Sequence, residues 1–451
     1  MPVFDTIVAL ATPPYRSALA LVRLSGSQSL SLLSRLCTKD VRTILPNHAY
    51  YAKLYQDKET KKHLIDEAVF VYYKGPHSYT GFDSVEFSVH GNPLIVEDLI
   101  DTLVSYGARR AKKGEFSAQA YYNGKMDLLK AEGINDLILA KSERAREIAS
   151  STLSGKNTEK MESLKRLLLD DMSQLEYYVE DQYSKEKDDY DDTLAVVERH
   201  LSDEIQSLSS TLEATRRNNK EYEGFSIAIA GKPNVGKSTL LNALLGQDKA
   251  IVSPVPGTTR DVVDGEIEVD GILYRFLDTA GIRSTSDLVE NLGIERSYQA
   301  MEKADLVLFL SDQPFASFTL DEEARKALGR KPYLKIATKR DLRGTDPDAD
   351  LSLCALSDPM SSLFQAIQKK LLPEAKEESA FLGKREEDGL QEILSRLISA
   401  KKALLDTHSI DIVSDELQAA IHSINQLTGK DEGQTMEDIY QTLFSKFCLG
   451  K

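Results

Sequence analysis

A glycine-rich loop between an apolar strand and a helix constrains this chain more strongly than any other feature. Residues 225–230 are an apolar run typical of a buried strand, residues 231–238 read GKPNVGKS, and a helical pattern follows over residues 239–245. Gly231 and Gly236 permit backbone angles and close approaches that a Cβ atom forbids. The amides of such a loop and the N-terminus of the helix form a cradle for phosphate groups. The order of strand, loop and helix therefore predicts a P-loop, and a chance glycine-rich turn is the alternative.

The loop and the first turn of the helix are expected to supply most phosphate contacts. The Lys237 ammonium would neutralise the β- and γ-phosphate oxygens, and the Ser238 hydroxyl would ligate Mg²⁺. The predicted nucleotide-binding residues in this part of the chain are Asn234, Val235, Gly236, Lys237, Ser238 and Thr239.

Two later motifs complete the pattern of a nucleoside triphosphatase. Residues 278–281 read DTAG after a predicted strand, so that Asp278 would hold Mg²⁺ through water and Gly281 would present its N–H to the γ-phosphate. Residues 257–261 read GTTRD and predict a switch loop whose Thr259 hydroxyl completes the metal shell. Three motifs in this order and spacing are far more specific than any one of them. The predicted contacts from these two motifs are Thr258, Thr259, Asp278, Thr279, Ala280 and Gly281.

The base is expected to be read at the ends of two later strands. Residues 306–310 and 333–337 are apolar, and the second run leads into Thr-Lys-Arg-Asp at residues 338–341. The Asp341 carboxylate can accept from the N1–H and the exocyclic amine of guanine together. Adenine offers neither donor, so the site would select GTP, and a simple ATPase is disfavoured. The predicted base-reading residues are Thr338, Lys339, Asp341, Cys354 and Ala355.

Two of these positions depart from the usual pattern. Thr338 stands where related enzymes have Asn, and Cys354 stands where they have Ser in the loop whose backbone N–H meets guanine O6. We therefore expect weaker nucleotide binding than is typical of such sites.

The sequence lacks the usual group that orients the hydrolytic water. A Gln directly follows the Asp-x-x-Gly element in Ras-type enzymes, whereas this chain has Ile282. Arg283 is a weak candidate for an arginine finger. Asn234 can offer a carbonyl oxygen to a monovalent cation beside the phosphates, and Glu290 can orient water indirectly, but spacing alone leaves both assignments open.

The composition of the chain limits which partners and which cellular compartment we expect for it. The net charge of −15 argues against a surface that coats nucleic acid, although a local basic patch remains compatible with it. The three cysteines, Cys37, Cys354 and Cys448, are widely spaced and predict neither a disulfide framework nor a zinc site. With no transmembrane run and no secretory signal, we expect a cytoplasmic protein without a membrane partner.

The pattern of predicted helices and strands changes along the chain. Residues 1–118 have the pattern of an α/β domain, residues 119–222 are helical, residues 223–372 alternate strands and helices, and residues 373–451 are helical again. We expect the two helical parts to pack together as one domain, because helices separated by an insertion must still bury their apolar faces.

The whole chain resembles the MnmE family, also called TrmE, of tRNA-modification GTPases. The N-terminal region carries DTIVA at residues 5–9 and GPHSYTG at residues 75–81, and the middle carries GEFS at residues 114–117 and NGKMDL at residues 123–128. The chain ends on FCLGK, which is the signature tail of this family.

This resemblance implies a multidomain α/β fold. It consists of an N-terminal α/β domain that binds a reduced folate and dimerises, a helical domain, and an inserted Ras-like P-loop GTPase domain with a mostly parallel sheet and helices on both faces. It also implies a homodimer that assembles with an FAD protein of the MnmG (GidA) type into a heterotetramer. The pair would install an aminomethyl or carboxymethylaminomethyl group on C5 of the wobble uridine of certain tRNAs. A folate of the 5-formyl- or 5,10-methylene-tetrahydrofolate type would donate the carbon, and GTP hydrolysis would depend on K⁺.

The resemblance also assigns roles to residues of this sequence. The K⁺ ligands would be Asn234, Ser253, Val255 and Thr258, with Ser253 also part of the GTP site, and the Mg²⁺ ligands would be Ser238 and Thr259. Glu290 would position the hydrolytic water and act with Lys237 in catalysis. The folate-binding residues would be Arg23, Glu86, Lys125 and Lys451.

Two alternatives stay open in the sequence. Cys448 is either a small buried residue near the C-terminus or a catalytic thiolate that adds to uracil C6 and makes C5 nucleophilic. The alternative function for the chain is a regulatory GTPase of ribosome assembly, which shares the nucleotide motifs. The inserted position of the GTPase region and the FCLGK tail favour the tRNA-modifying enzyme.

Overall fold

The computed structural model describes residues 5–57, 62–181, 188–246, 263–277, 297–372, 380–430 and 436–450. Backbone contacts divide the chain into two compact units. The first comprises Met1–Asn135, Thr158–Leu194 and Ser399–Lys451, and the second comprises Asp136–Asn157 and Ala195–Ile398. The segment 119–222, predicted as one helical part, thus contributes to both units, and the four-domain division stays a prediction.

The first unit contains a six-stranded sheet in which the strand order is β3-β4-β5-β2-β1-β6. Its strands are β1 (Ile7–Leu10), β2 (Leu19–Ser25), β3 (Ala49–Asp57), β4 (Lys62–Tyr73), β5 (Ser84–His90) and β6 (Arg109–Arg110). Neighbours run antiparallel except β1 and β6, which are parallel. The strand-like sequence runs at residues 6–11, 18–24, 67–73 and 84–90 fall on β1, β2, the end of β4 and β5.

Two helices, α1 (Ser29–Leu36) and α2 (Pro93–Ser105), form one apolar core with this sheet. Strand β2 alternates in the way that such a core requires, since Val22 and Leu24 are buried in it while Arg23 between them lies outside that cluster. Helix α2 begins with Pro93 in its first turn, and the Asn92 side chain caps it by accepting from the Leu94 amide.

Helical segments from before and after the inserted sheet contact each other. The helices are α3 (Glu115–Tyr122), α4 (Leu128–Leu139), α5 (Glu143–Thr152), α6 (Lys156–Asp181), α7 (Asp188–Glu223), α12 (Lys384–Asp406), α13 (Ile410–Thr428) and α14 (Met436–Thr442). In the first unit, Lys165 of α6 donates to Asn425 of α13 at 2.7 Å. In the second unit, Arg216 of α7 pairs with Glu387 of α12 at 3.2 Å.

The second unit contains a six-stranded sheet of order β12-β11-β10-β7-β9-β8. Its strands are β7 (Phe225–Gly231), β8 (Val263–Val269), β9 (Ile272–Leu277), β10 (Leu306–Ser311), β11 (Tyr333–Ala337) and β12 (Leu351–Ser352). All neighbours are parallel except the β8–β9 hairpin. The mostly parallel sheet is therefore confirmed. Strand β7 lies inside the sheet, between β10 and β9.

Helices cover both faces of this sheet, as predicted. The helices are α8 (Lys237–Leu245), α9 (Glu322–Leu328), α10 (Arg340–Arg343) and α11 (Ser361–Leu371). Alternate residues of β7 enter different cores: Ile227 and Ile229 pack with α8 and α11, whereas Ala228 and Ala230 pack with α9. A doubly wound sheet of this kind binds ligands at the carboxyl ends of its strands, which is where the P-loop follows β7.

Three short 3₁₀ helices among the described residues span Val41–Thr43, Phe315–Ser317 and Phe444–Lys446. Within the described ranges, every helix is too short or too polar to cross a bilayer.

Candidate functional site

The P-loop follows β7 and has the backbone geometry that its sequence predicts. A Cβ atom on Gly231 would collide with the Leu310 carbonyl of the neighbouring strand β10, so this position requires glycine. Gly236 has φ +104° and caps α8, and Asn234 has φ +63°. Val235 is buried in the core below the loop, which fixes the loop to the sheet. Ser238 and Thr239 are exposed in the first turn of α8.

The Lys237 ammonium lies over the loop that it is expected to serve. Its Nζ donates to the Gly231 carbonyl at 2.7 Å and to the Lys232 carbonyl at 2.9 Å. Partial burial lowers the pKa of Lys237, because a desolvated ammonium is less stable than a hydrated one. The two carbonyl groups that now accept from Lys237 are neutral. A phosphate oxygen bound at the loop would carry a negative charge and would stabilise the ammonium more strongly.

The end of β11 is joined to the P-loop by side chains. The buried Thr338 hydroxyl donates to the Val235 carbonyl at 2.7 Å. Lys339 donates to the Asn234 carbonyl at 3.1 Å and pairs with Asp312 at 2.9 Å. The hydrogen bond from Lys339 lowers the pKa of Asp312, so that this carboxylate is ionised and holds the lysine. The end of β11, which carries predicted base-reading residues, therefore contacts the P-loop directly.

The predicted base-reading residues lie at the carboxyl ends of β11 and β12. Asp341 is exposed in the first turn of α10, available to a base. The Cys354 amide is already engaged, because it donates to the Asp358 carboxylate at 2.6 Å, and Arg340 pairs with the same group at 2.7 Å. The Ala355 amide has no acceptor among the described residues, so Ala355 is the better of the two candidates for guanine O6.

Several predicted site residues lie outside the described residues. They are Ser253, Val255, Thr258, Thr259, Asp278, Thr279, Ala280, Gly281, Glu290 and Lys451, as are Ile282 and Arg283. Their roles stay predictions.

Arg23 and Glu86, two of the predicted folate-binding residues, form an ion pair on the N-terminal sheet. They face each other on the paired strands β2 and β5, and Arg23 contacts the Glu86 carboxylate through Nε at 2.9 Å and Nη2 at 2.8 Å. The guanidinium also lies 5.5 Å from the ring centre of Tyr79 and 5.6 Å from that of Phe116. Sequence reasoning missed both rings, although Tyr79 and Phe116 belong to the motifs GPHSYTG and GEFS.

The C-terminal tail reaches this site. Arg23 Nη1 donates to the Gly450 carbonyl at 3.0 Å, and the Gly114 amide donates to the Cys448 carbonyl at 3.2 Å. Cys448 is neither buried nor fully exposed. This observation counts against a role as a fully buried core residue and is compatible with either chemistry or packing.

Lys125 contacts a different part of the N-terminal region. Its Nζ donates to the Pro76 carbonyl at 2.7 Å, at the start of the loop over residues 75–81. Asn123 donates to the Thr80 carbonyl at 2.7 Å in the same loop. The loop that carries Tyr79 is thus attached to the segment that carries Lys125.

Comparison with known proteins identifies the family of the chain. Residues 6–125 match the model of the GTP-binding protein TrmE N-terminus, and residues 226–339 match that of the 50S ribosome-binding GTPase. The tRNA modification GTPase MnmE of Thermotoga petrophila is 38% identical over 99% of this chain and 100% of its own length. The proteins of the same name from Aquifex aeolicus and Mycoplasma mycoides are 35% and 36% identical, each over 99% of this chain and at least 99% of their own lengths. The chain therefore belongs to the MnmE family of tRNA modification GTPases.

Proposed function

We propose that this GTPase depends on K⁺ and acts with an FAD protein of the MnmG type on C5 of the wobble uridine of certain tRNAs. The single-carbon unit of an aminomethyl-type group would come from a reduced folate. The observation that carries the proposal is the contact between Arg23 and the Gly450 carbonyl, since it joins the N-terminal sheet to the tail that carries Cys448. The protein would work in the cytoplasm as a homodimer, and as a heterotetramer with its partner.

At the GTP site, each described residue has a definable task. Lys237 exchanges its loop carbonyls for the β- and γ-phosphate oxygens, and the exposed Ser238 hydroxyl is an oxygen ligand of the kind that Mg²⁺ prefers. When bound, Mg²⁺ neutralises charge on the phosphates. Asp341 accepts from guanine, while Thr338 and Lys339 hold the loop.

Asn234 suits a monovalent cation beside the phosphates. Its side chain is exposed, its φ is +63°, and its own carbonyl is bound by Lys339. The backbone from which this side chain projects is therefore held in the loop. Its oxygen is a hard ligand that suits K⁺, with Ser253, Val255 and Thr258 as the further proposed ligands.

The N-terminal site suits a reduced folate. Such a molecule combines a planar ring that carries N–H donors with a tail that ends in carboxylates. Glu86 accepts from N–H groups, and the rings of Tyr79 and Phe116 offer flat apolar surface beside Arg23. Lys125, and Lys451 at the end of the tail, would face carboxylates. The Arg23–Glu86 pair would orient the folate, because Glu86 is held in one position by two guanidinium contacts.

Cys448 is the proposed nucleophile. Its thiolate would add to uracil C6, and the electron pair of the C5–C6 double bond would make C5 nucleophilic. After C5 has formed its new bond, loss of the C5 proton would restore the double bond and expel the thiolate.

Complementation tests the proposal directly. Cells that lack this gene would be supplied with wild-type protein, Lys237→Ala or Cys448→Ser, and wobble uridines from bulk tRNA would be analysed by mass. Only the wild type should restore the modified nucleoside. An unmodified wobble uridine in cells with the wild-type protein, together with a defect in ribosomal subunits that it corrects, would support the ribosome-assembly alternative instead.

A further inference from the structure

Three exposed lysines lie on two segments that contact each other in the unit of the N-terminal sheet. Lys112 and Lys113 precede α3, and Lys446 precedes Cys448 in the tail. We call Lys112, Lys113 and Lys446 the tail lysine cluster. The segments that carry them are more than three hundred residues apart in sequence, so that folding alone brings them together.

Specific contacts fix these two segments to each other. The Tyr440 hydroxyl donates to the Lys113 carbonyl at 2.8 Å, and the Lys112 ammonium lies 5.8 Å from the centre of the Tyr440 ring. The Gly114 amide donates to the Cys448 carbonyl at 3.2 Å. A Cβ atom on Gly114 would collide with the Phe444 carbonyl. The two backbone segments that carry the cluster are therefore held together.

The cluster has an excess of positive charge on an acidic protein. None of its three lysines forms an ion pair with a described residue. The neighbouring Arg109, by contrast, is neutralised by Asp5 and by the buried Glu115. Asp438 is the exposed acid on the described part of these segments. The chain as a whole has a charge of −15, so that a polyanion would be attracted only where positive charge is in local excess, as it is in this cluster.

We propose that the tail lysine cluster binds the phosphate backbone of tRNA and so holds a nucleotide next to Cys448. This inference rests on the proposed function, in which tRNA is the substrate. Lysines that keep their charge unpaired act as point charges for phosphate, and phosphate contacts position a nucleic acid without selecting its sequence. Cys448 is partly exposed and lies two residues from Lys446 in the same tail, so that a phosphate held at Lys446 would place its nucleotide near this residue.

The test compares two triple variants of the full-length protein. One carries Lys112→Gln, Lys113→Gln and Lys446→Gln. The matched control carries Lys369→Gln, Lys370→Gln and Lys402→Gln, three exposed lysines that also lack an ion pair with a described residue. Both remove the same charge, so a difference between them reports position. The affinity for purified tRNA would be measured across a salt series, with GTP hydrolysis as the check of folding.

The cluster variant should bind tRNA roughly 10²-fold more weakly than wild type at moderate salt, and the slope of log affinity against log salt should fall by about 2 to 3. The control should keep the wild-type slope, and both variants should hydrolyse GTP at the wild-type rate. Equal affinities and slopes for the two variants would overturn the inference. If wild-type protein itself neither binds tRNA nor restores the modified uridine in cells, the proposed function fails, and the two failures are thereby distinguished.

Discussion

Arg23 donates to the carbonyl of Gly450, a residue 427 positions later in the chain, at 3.0 Å. The same guanidinium binds Glu86, so that one side chain joins two strands of the N-terminal sheet and the C-terminal tail. Gly450 has φ +84°, and a Cβ atom there would lie 2.5 Å from the Leu10 carbonyl. The tail can therefore take this position only with glycine at residue 450.

Gly450→Ala should displace the tail from the N-terminal sheet. Both the left-handed backbone and the contact with Leu10 oppose a side chain. We expect loss of the modified uridine in complemented cells and weaker binding of 5-formyltetrahydrofolate in calorimetry, while GTP hydrolysis remains intact. Gly155→Ala is the matched control, because Gly155 also has positive φ but nothing lies within 4 Å of its added Cβ. Wild-type folate affinity and modification in the Gly450 variant would contradict a role for the tail.

Short-range sequence patterns predicted the elements whose structure depends mainly on neighbouring residues. The P-loop and the strands beside it could be predicted, because glycine-rich loops and buried strands leave short-range signals in the sequence. Strand β3 was missed. Only Ala52 and Leu54 are buried in it, since it lies at the edge of the sheet and shows no clear alternation.

Contacts between residues that are far apart in sequence could not be predicted from such patterns. The tail was linked to the N-terminal region only through a resemblance, because no spacing rule relates Arg23 to Gly450. The hydrogen bond from the Cys354 amide to the Asp358 carboxylate could not be predicted either, because it depends on the conformation of the loop that joins these residues. In both cases the geometry assigns partners that residue types alone leave open.

Thr338→Val should weaken GTP binding by about 1 kcal/mol, or roughly fivefold, because the Val235 carbonyl loses its buried donor. Thr338→Ser keeps the hydroxyl and is expected to bind nearly as wild type does. Titration with a fluorescent GTP analogue measures both. If the Val variant binds as tightly as the Ser variant, this hydrogen bond does not hold the loop for nucleotide.

Asp341→Asn should reduce affinity for GTP by roughly 10²-fold, since an amide cannot accept two hydrogen bonds from guanine as a carboxylate does. Affinity for xanthosine triphosphate should rise, because its C2 oxygen needs a donor. Competition binding with both nucleotides is the measurement. An unchanged preference for GTP would remove Asp341 from the base site.

Asn234→Ala should abolish the difference between hydrolysis rates in K⁺ and in Na⁺ at equal ionic strength. Wild type should be faster in K⁺, since Na⁺ is too small to span the proposed ligands. Nucleotide binding should survive, because Lys339 contacts the main-chain carbonyl of residue 234 rather than its side chain. Equal wild-type rates in the two salts would defeat the cation hypothesis itself.

Glu290→Ala should slow hydrolysis by about 10²–10³, the scale expected for loss of a positioning or general-base group, while GTP binding stays near normal. Ile282 occupies the position from which Ras-type enzymes orient water, so that another polar group must do so. A carboxylate near the γ-phosphate would act through a bridging water, because direct approach of two anions is repulsive.

Glu290→Gln separates charge from hydrogen bonding at this position. If the group only orients water, Gln should restore part of the rate that Ala loses, whereas a group that must accept a proton should leave both variants equally slow. The alternative is a solvated acid in a switch loop, for which both substitutions change little. Single-turnover kinetics in saturating K⁺ measure the chemical step without product release. An Ala variant within about threefold of wild type, well short of the effect of a lost positioning group, would exclude Glu290 from catalysis.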